Sequence, residues 1–258
     1  MSIQHRSMPS RRRALVLVAV CALVLVALLA PAAGAQTATP YKDIASSGPL
    51  PHVYVGNDTS CQVAHTGDAA LEVFPSSSIP ASCGTFVFRG DTLFAPDFAN
   101  HSGSATGSLG TYVPWAPVSQ TDVSGAGTTA NPYKVTTVVG APNTGLRITQ
   151  VDSYVVGQES FRTDVTISNM GGDNETGILY RGLDCFLQGS DVGYGFVDSS
   201  NGSPGCSANP NNSPAGRIEQ AFVITGGNQY LEDRYSTVWG AIGGHQPLAN
   251  TCACDSPS

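Results

Sequence analysis

The sequence predicts an all-β fold, an antiparallel β-sandwich with long disulfide-tied loops, on three observations. Apolar residues recur with period two in strand-length runs, Gly, Pro and Asn-rich turns punctuate those runs, and the cysteines become even in number once the N-terminal segment is set aside. No stretch carries sustained apolar spacing at three and four residues with capping residues. At most one or two short helical turns are therefore expected.

The N-terminal segment comes first. Arg11, Arg12 and Arg13 precede an unbroken apolar run from Ala14 to Ala30, followed by Pro31 and the small-residue triplet Ala33-Gly34-Ala35. Basic residues that stay inside, an apolar stretch that enters the bilayer and small residues at the cut make a signal peptide over 1–35. The paired arginines also loosely match a twin-arginine signal, so the export route stays open. Removing 1–35 takes away Arg6, Arg11, Arg12 and Arg13 and no carboxylate. What remains has 8 Lys+Arg against 19 Asp+Glu, a formal charge of about −11. Such a chain repels phosphate backbones and anionic lipid, which argues against nucleic acid as a partner. No second long apolar run follows, so no membrane span is expected after signal cleavage.

Residues 36–50, with Pro40, Ser46, Ser47, Gly48 and Pro49, read as an extended arm without its own core, ahead of a sandwich domain over 51–258. The clearest strand is Glu159 to Ser168, with Phe161, Thr163, Val165 and Ile167 on one face and Arg162, Asp164, Thr166 and Ser168 on the other. Clean alternation means one buried face and one wet or ligand-exposed face. Gly145 to Val156 precedes it, with Gly157-Gln158 suited to a tight hairpin turn. Tyr133, Val135, Thr137 and Val139 form a similar run. Further strands are expected around His52 to Val55, Ala69 to Phe74, Thr85 to Phe88, Gly177 to Leu187, Arg217 to Thr225 and Tyr235 to Ile242. Two polar stretches, Asn100 to Leu109 and Ser199 to Gly216, read as long loops, where binding surfaces concentrate.

Of the seven cysteines, Cys21 lies inside the signal run and six remain. In an exported chain this suggests three disulfides, and proximity favours Cys61 with Cys83 and Cys185 with Cys206. Cys252 and Cys254 are left over. A bridge between residues two apart is expected to be strained, which leaves either one open to pairing beyond Ser258, where the chain is expected to continue.

Three stretches carry a resemblance: Val53-Tyr54-Val55-Gly56-Asn57-Asp58 with Ser60-Cys61-Gln62-Val63, Asp152-Ser153-Tyr154-Val155-Val156-Gly157, and Leu179-Tyr180-Arg181-Gly182-Leu183-Asp184-Cys185. In this order they resemble an uncharacterised exported domain of actinobacterial-type surface proteins, over nearly the whole of 36–258. The resemblance implies further extracellular repeats after this chain and brings no catalytic residues. The hairpin Leu146 to Asn169 is also similar to strands of the large carbohydrate-linked sandwiches of the aldose epimerase type.

No G-x-S-x-G, H-E-x-x-H, P-loop or dinucleotide-binding glycine pattern occurs. His52, His65, His101 and His245 read as surface or turn histidines. Glycoside chemistry needs two carboxyls about 5 to 10 Å apart; Glu219, Glu232 and Asp233 are the candidates, with Trp239 or Tyr235 as a stacking platform. No cofactor is expected, and calcium is the most plausible ion, with Asp191, Asp198 and Asn201 as candidate oxygen ligands. Sequons at Asn57, Asn100, Asn174, Asn201 and Asn211 suit exposed loops. The residues together suggest a non-catalytic extracellular or cell-surface module that meets a protein or glycan partner. The alternative is a carbohydrate-active module.

Overall fold

The computed structural model describes residues 40–210 and 217–254. In chain order the elements are β1 (Tyr41–Ala45), β2 (His52–Gly56) and β3 (Cys61–Ala64); then β4 (Cys83–Arg89), β5 (Thr92–Ala95) and β6 (Val113–Pro114). Next come β7 (Ala116–Gln120), β8 (Tyr133–Gly140), β9 (Leu146–Tyr154) and β10 (Arg162–Asn169), followed by β11 (Gly177–Leu183), β12 (Tyr194–Asp198), β13 (Ser203–Ser207) and β14 (Ile218–Gln220). β15 (Leu231–Glu232), helix α1 (Tyr235–Gly243) and β16 (Thr251–Cys252) close the series. The fold is all-β. The sheet orders are β1-β2-β3, β10-β9-β8-β7, β11-β4-β5-β6, β12-β13-β14 and β15-β16, antiparallel except for the short β5–β6 and β15–β16 pairs.

Period-two side-chain direction decides the layers. Val135, Thr137 and Val139 of β8 and Leu146, Ile148, Gln150, Asp152 and Tyr154 of β9 all point inward and are buried. Their upper part meets Val87 and Phe94 of the β4–β5 sheet, and their lower part meets Ile44, Val53 and Val55 of β1 and β2. Side chains of β4 that alternate the other way, with Phe86 at their centre, pack with Tyr180, Leu93, Phe98 and Leu109 under Trp239 and Ile242 of α1. The result is a sandwich with a helical cover over one outer face. Cys61–Cys83 staples β3 to β4, and Cys185–Cys206 ties the chain after β11 to β13, both in the expected pairing.

Several expectations change. Residues 36–50 are not a coreless arm in their described part, because β1 pairs with β2 along its length and Ile44 is fully buried. Tyr235 to Ile242 is helical rather than extended, because Val238, Trp239 and Ile242 then share the face that packs on the core. Ala69 to Phe74 makes only isolated bridges at Leu71 and Val73. The stretch Asn100 to Leu109 is not a free loop: His101, Thr106 and Leu109 are buried, and Leu109 backbone fills the space beside Gly243. Within Ser199 to Gly216, residues 203–207 form β13, while 211–216, with Asn211, lie outside the described residues. The Gly157-Gln158 turn is present, with Gly157 at φ +96, inside a longer connection between β9 and β10. Cys252 and Cys254 pair with each other across a Cα separation of 5.0 Å.

Candidate functional site

The outward face of β8, β9 and β10 carries a groove of about 310 Å³. Register builds it. Lys134 stands opposite Ser153, which stands opposite Arg162, so an ammonium, a hydroxyl and a guanidinium form one row across three strands. In the next row Val151 faces Asp164, whose carboxylate takes Arg162 Nε at 2.8 and 2.9 Å. Gln158, Ser160 and Phe161 from the β9–β10 connection contribute to its wall. The groove thus offers two cations, one anion, hydroxyls, an amide and an aromatic ring. This suits the binding of a polar chain. Arg162 and Asp164 were legible as outward residues, whereas Lys134 and Ser153 join them only through the strand register.

The candidate acids lie elsewhere. Glu219, on β14 opposite Cys206, is pushed well above the ordinary carboxyl range by burial first and then by Glu72 and Asp184, and its Oε2 has no hydrogen-bond partner among the described residues. Glu72 is buried and pushed up to about 8 by that burial and by the hydrogen bond and charge of Asp68, against the pull of Arg217. Asp184 is raised to about 7 by burial and by Asp191. These carboxyls meet because Val73 bridges to Cys185 and Cys185 is bonded to Cys206. At the rim Arg217 pairs with Asp68 and donates to His65 Nδ1 at 2.5 Å, and His65 Nε2 lies 2.8 Å from Glu159. Cys185 Sγ, Cys206 Sγ and a Glu219 oxygen lie within 4.8 Å of one another, with both sulfurs joined in the disulfide.

Glu232, on β15, is 8% exposed, and its Oε2 lies 3.3 Å from Cys252 Sγ. Burial, then Asp233, raises its carboxyl to about 7, while a hydrogen bond from the Ala253 N–H opposes the shift. Asp233 accepts a hydrogen bond from Arg234 N at 2.7 Å. None of Glu219, Glu232 and Asp233 lines the groove. The expected stacking platform is also lost at Trp239, which is fully buried in α1, and Trp115 is 2% exposed with Nε1 donating to Thr85 O at 2.9 Å. Tyr235 stays half-exposed at the start of α1.

The calcium candidates divide. Asp198 Oδ1 accepts Ser200 N at 2.9 Å and Ser200 Oγ at 2.7 Å, and Asn201 Oδ1 accepts Ser203 N at 2.9 Å, so these oxygens shape the β12–β13 turn. Asp191 instead acts on Asp184. The histidines also differ from a surface reading at His101, which is buried with Nε2 2.9 Å from Asp58 Oδ2. His245 stacks on Phe88 at 4.2 Å, and His52 lies 2.9 Å from Asp43.

No family model, curated protein or solved structure matches this chain. Among the described residues no helix is long and apolar enough to cross a membrane.

Proposed function

We propose that this chain is an extracytoplasmic, non-catalytic contact module that meets its partner through the outward face of β8, β9 and β10. The groove with its Lys134–Ser153–Arg162 row is the observation that carries the reading. A sheet buried on one face leaves the other free for recognition, and a row of cation, hydroxyl and cation matches the carboxylates and hydroxyls of a polar partner. Export is supported by the signal pattern over 1–35 and by three disulfides, which persist in oxidising compartments.

A second reading, a glycan-binding module, draws on the hydroxyl, amide and aromatic lining of the same groove. Direct binding separates the two. The oxidised protein is labelled and applied to an array of neutral and acidic glycans beside the charge-reversed variants Lys134→Glu and Arg162→Glu. Saturable binding to a glycan that both variants lose supports the glycan reading. Binding unchanged in both variants would remove the groove from the account. No binding to any glycan leaves a protein partner or a spacing role as the form of contact.

A further inference from the structure

Cys252 and Cys254 form a small-loop disulfide whose surroundings differ from those of the other two. Cys61, Cys83 and Cys206 are 2%, 4% and 3% exposed and Cys185, near Glu219, is half-buried; Cys252 is half-buried too, and Cys254 alone among the described cysteines is exposed. Glu232 pairs with Cys252 in the β15–β16 register, and its carboxyl lies against that sulfur at 3.3 Å. Gly195 of β12 makes the room. It bridges to Cys254, and a Cβ there would fall on the Glu232 carboxyl. A buried acid touching one sulfur of a disulfide whose other cysteine is an exposed residue is the arrangement that thiol–disulfide exchange needs.

We propose that Cys252–Cys254 is a reactive exchange site, with Glu232 as its proton donor and acceptor and with dithiols as its substrate class. A substrate thiolate attacks Cys254 Sγ, the Sγ–Sγ bond breaks, and Cys252 leaves with the electron pair and takes the Glu232 proton. The substrate is then held as a mixed disulfide on Cys254. Its second thiol, as the thiolate, attacks its own bonded sulfur and expels Cys254 as a thiolate, which takes a proton from solvent. Glu232 regains its proton from solvent, so the substrate loses two electrons and two protons to become a disulfide and the chain gains both as two thiols. In reverse, ionised Glu232 takes the proton of Cys252. Burial and Asp233 keep Glu232 protonated up to about pH 7, against the Ala253 N–H. On the strands packed around it the other titratable side chains are Tyr194 and Asp198 of β12, the latter held by Ser200.

The test treats the oxidised protein with limiting dithiothreitol, quenches it with acid, alkylates free thiols and maps them by mass spectrometry. In the unaltered protein Cys252 and Cys254 should be alkylated while the other four described cysteines remain bonded. In Glu232→Gln the same reduction should be at least roughly tenfold slower at about pH 6 and nearly unchanged at about pH 8.5, where the native acid is ionised. Earlier reduction of Cys61–Cys83 or Cys185–Cys206 would overturn the proposal. So would a ratio of native to variant rates that is equal at both pH values. The mapping in the unaltered protein stands by itself should Glu232→Gln fail to fold.

Discussion

Thr85 of β4 donates its hydroxyl proton to Gln150 of β9 at 2.7 Å, a hydrogen bond that joins the two facing sheets in the centre of the core. Gln150 Nε2 in turn donates to Asp152 Oδ2 at 2.8 Å, Thr163 Oγ1 donates to Asp152 Oδ1 at 2.6 Å, and Arg181 Nη1 donates to Thr85 Oγ1 at 2.9 Å. A buried network of this kind is stable only when every member is satisfied. Gln150→Leu should therefore cost about 2–4 kcal/mol in chemical denaturation, and adding Thr85→Val, which also strips the buried Arg181 of an acceptor, should deepen the loss. Equal loss in the single and double variants would show that the network is not the cause.

The two long-loop disulfides should each stabilise the fold chiefly by restricting the unfolded chain. They close loops of 22 and 21 residues. Replacing either pair with serine or alanine should lower stability by about 3 kcal/mol in the chain-entropy account. Urea unfolding of the paired variants checks this, and a loss confined to one pair would mean that the other constrains little.

Stability should depend on pH in both directions. Glu72, Asp184, Glu219 and Glu232 are all raised in the folded chain, so they bind protons more tightly folded than unfolded. Their contribution is full below the ordinary carboxyl range and is lost as pH rises, through about 7 for Asp184 and Glu232 and about 8 for Glu72. The loss within each window is at most about 1.4 kcal/mol per pH unit, and solvent screening makes it smaller for Glu72 and Glu232. Asp58 has the opposite sign. Burial alone would push it up, but His101, Ser60 and the Asp97 N–H hold it below the usual value, so its contribution is lost as pH falls through its folded value. The thermal midpoint should peak in mildly acidic solution, and Glu72→Gln should flatten the alkaline limb. A midpoint that rises from pH 5 to 8 would contradict the buried acid cluster.

Trp239 should be the largest single contributor from α1. It is fully buried, packs on Phe86 and Phe98, and leaves no room for a side chain at Gly182. Trp239→Ala should cost about 3–5 kcal/mol, whereas Tyr235→Ala at the half-exposed end of the helix should cost far less. Thermal unfolding of the two variants gives the comparison.

What was readable in the residues follows from locality. Alternation exposed β8, β9 and β10 as strands, though not the burial of β10, an edge strand with no buried residue and Ile167 45% exposed. Sequence proximity exposed two of the disulfides, because each signal lies within one short stretch. Helix α1 was hidden by composition: Thr237, Val238, Trp239 and Ile242 favour strands, although Tyr235, Val238, Trp239 and Ile242 already fall at the spacing of a helix face. The acid cluster could not be read, since Glu72, Asp184 and Glu219 come from three distant segments that meet only through the Val73 bridge and the Cys185–Cys206 bond. Glu232 was visible as an acid, but its contact with Cys252 depends on a parallel pairing of two-residue strands.

The contact role is tested most directly by the thermal midpoint of the oxidised protein against a panel of soluble glycans, each with calcium and with chelator. A ligand at about 100 times its dissociation constant adds about 2.7 kcal/mol of stability. The account predicts that any saturable rise with an acidic or hydroxyl-rich ligand disappears in Lys134→Glu and Arg162→Glu. An equal rise in the native protein and in both variants would contradict it, because the ligand would then be held somewhere other than the groove.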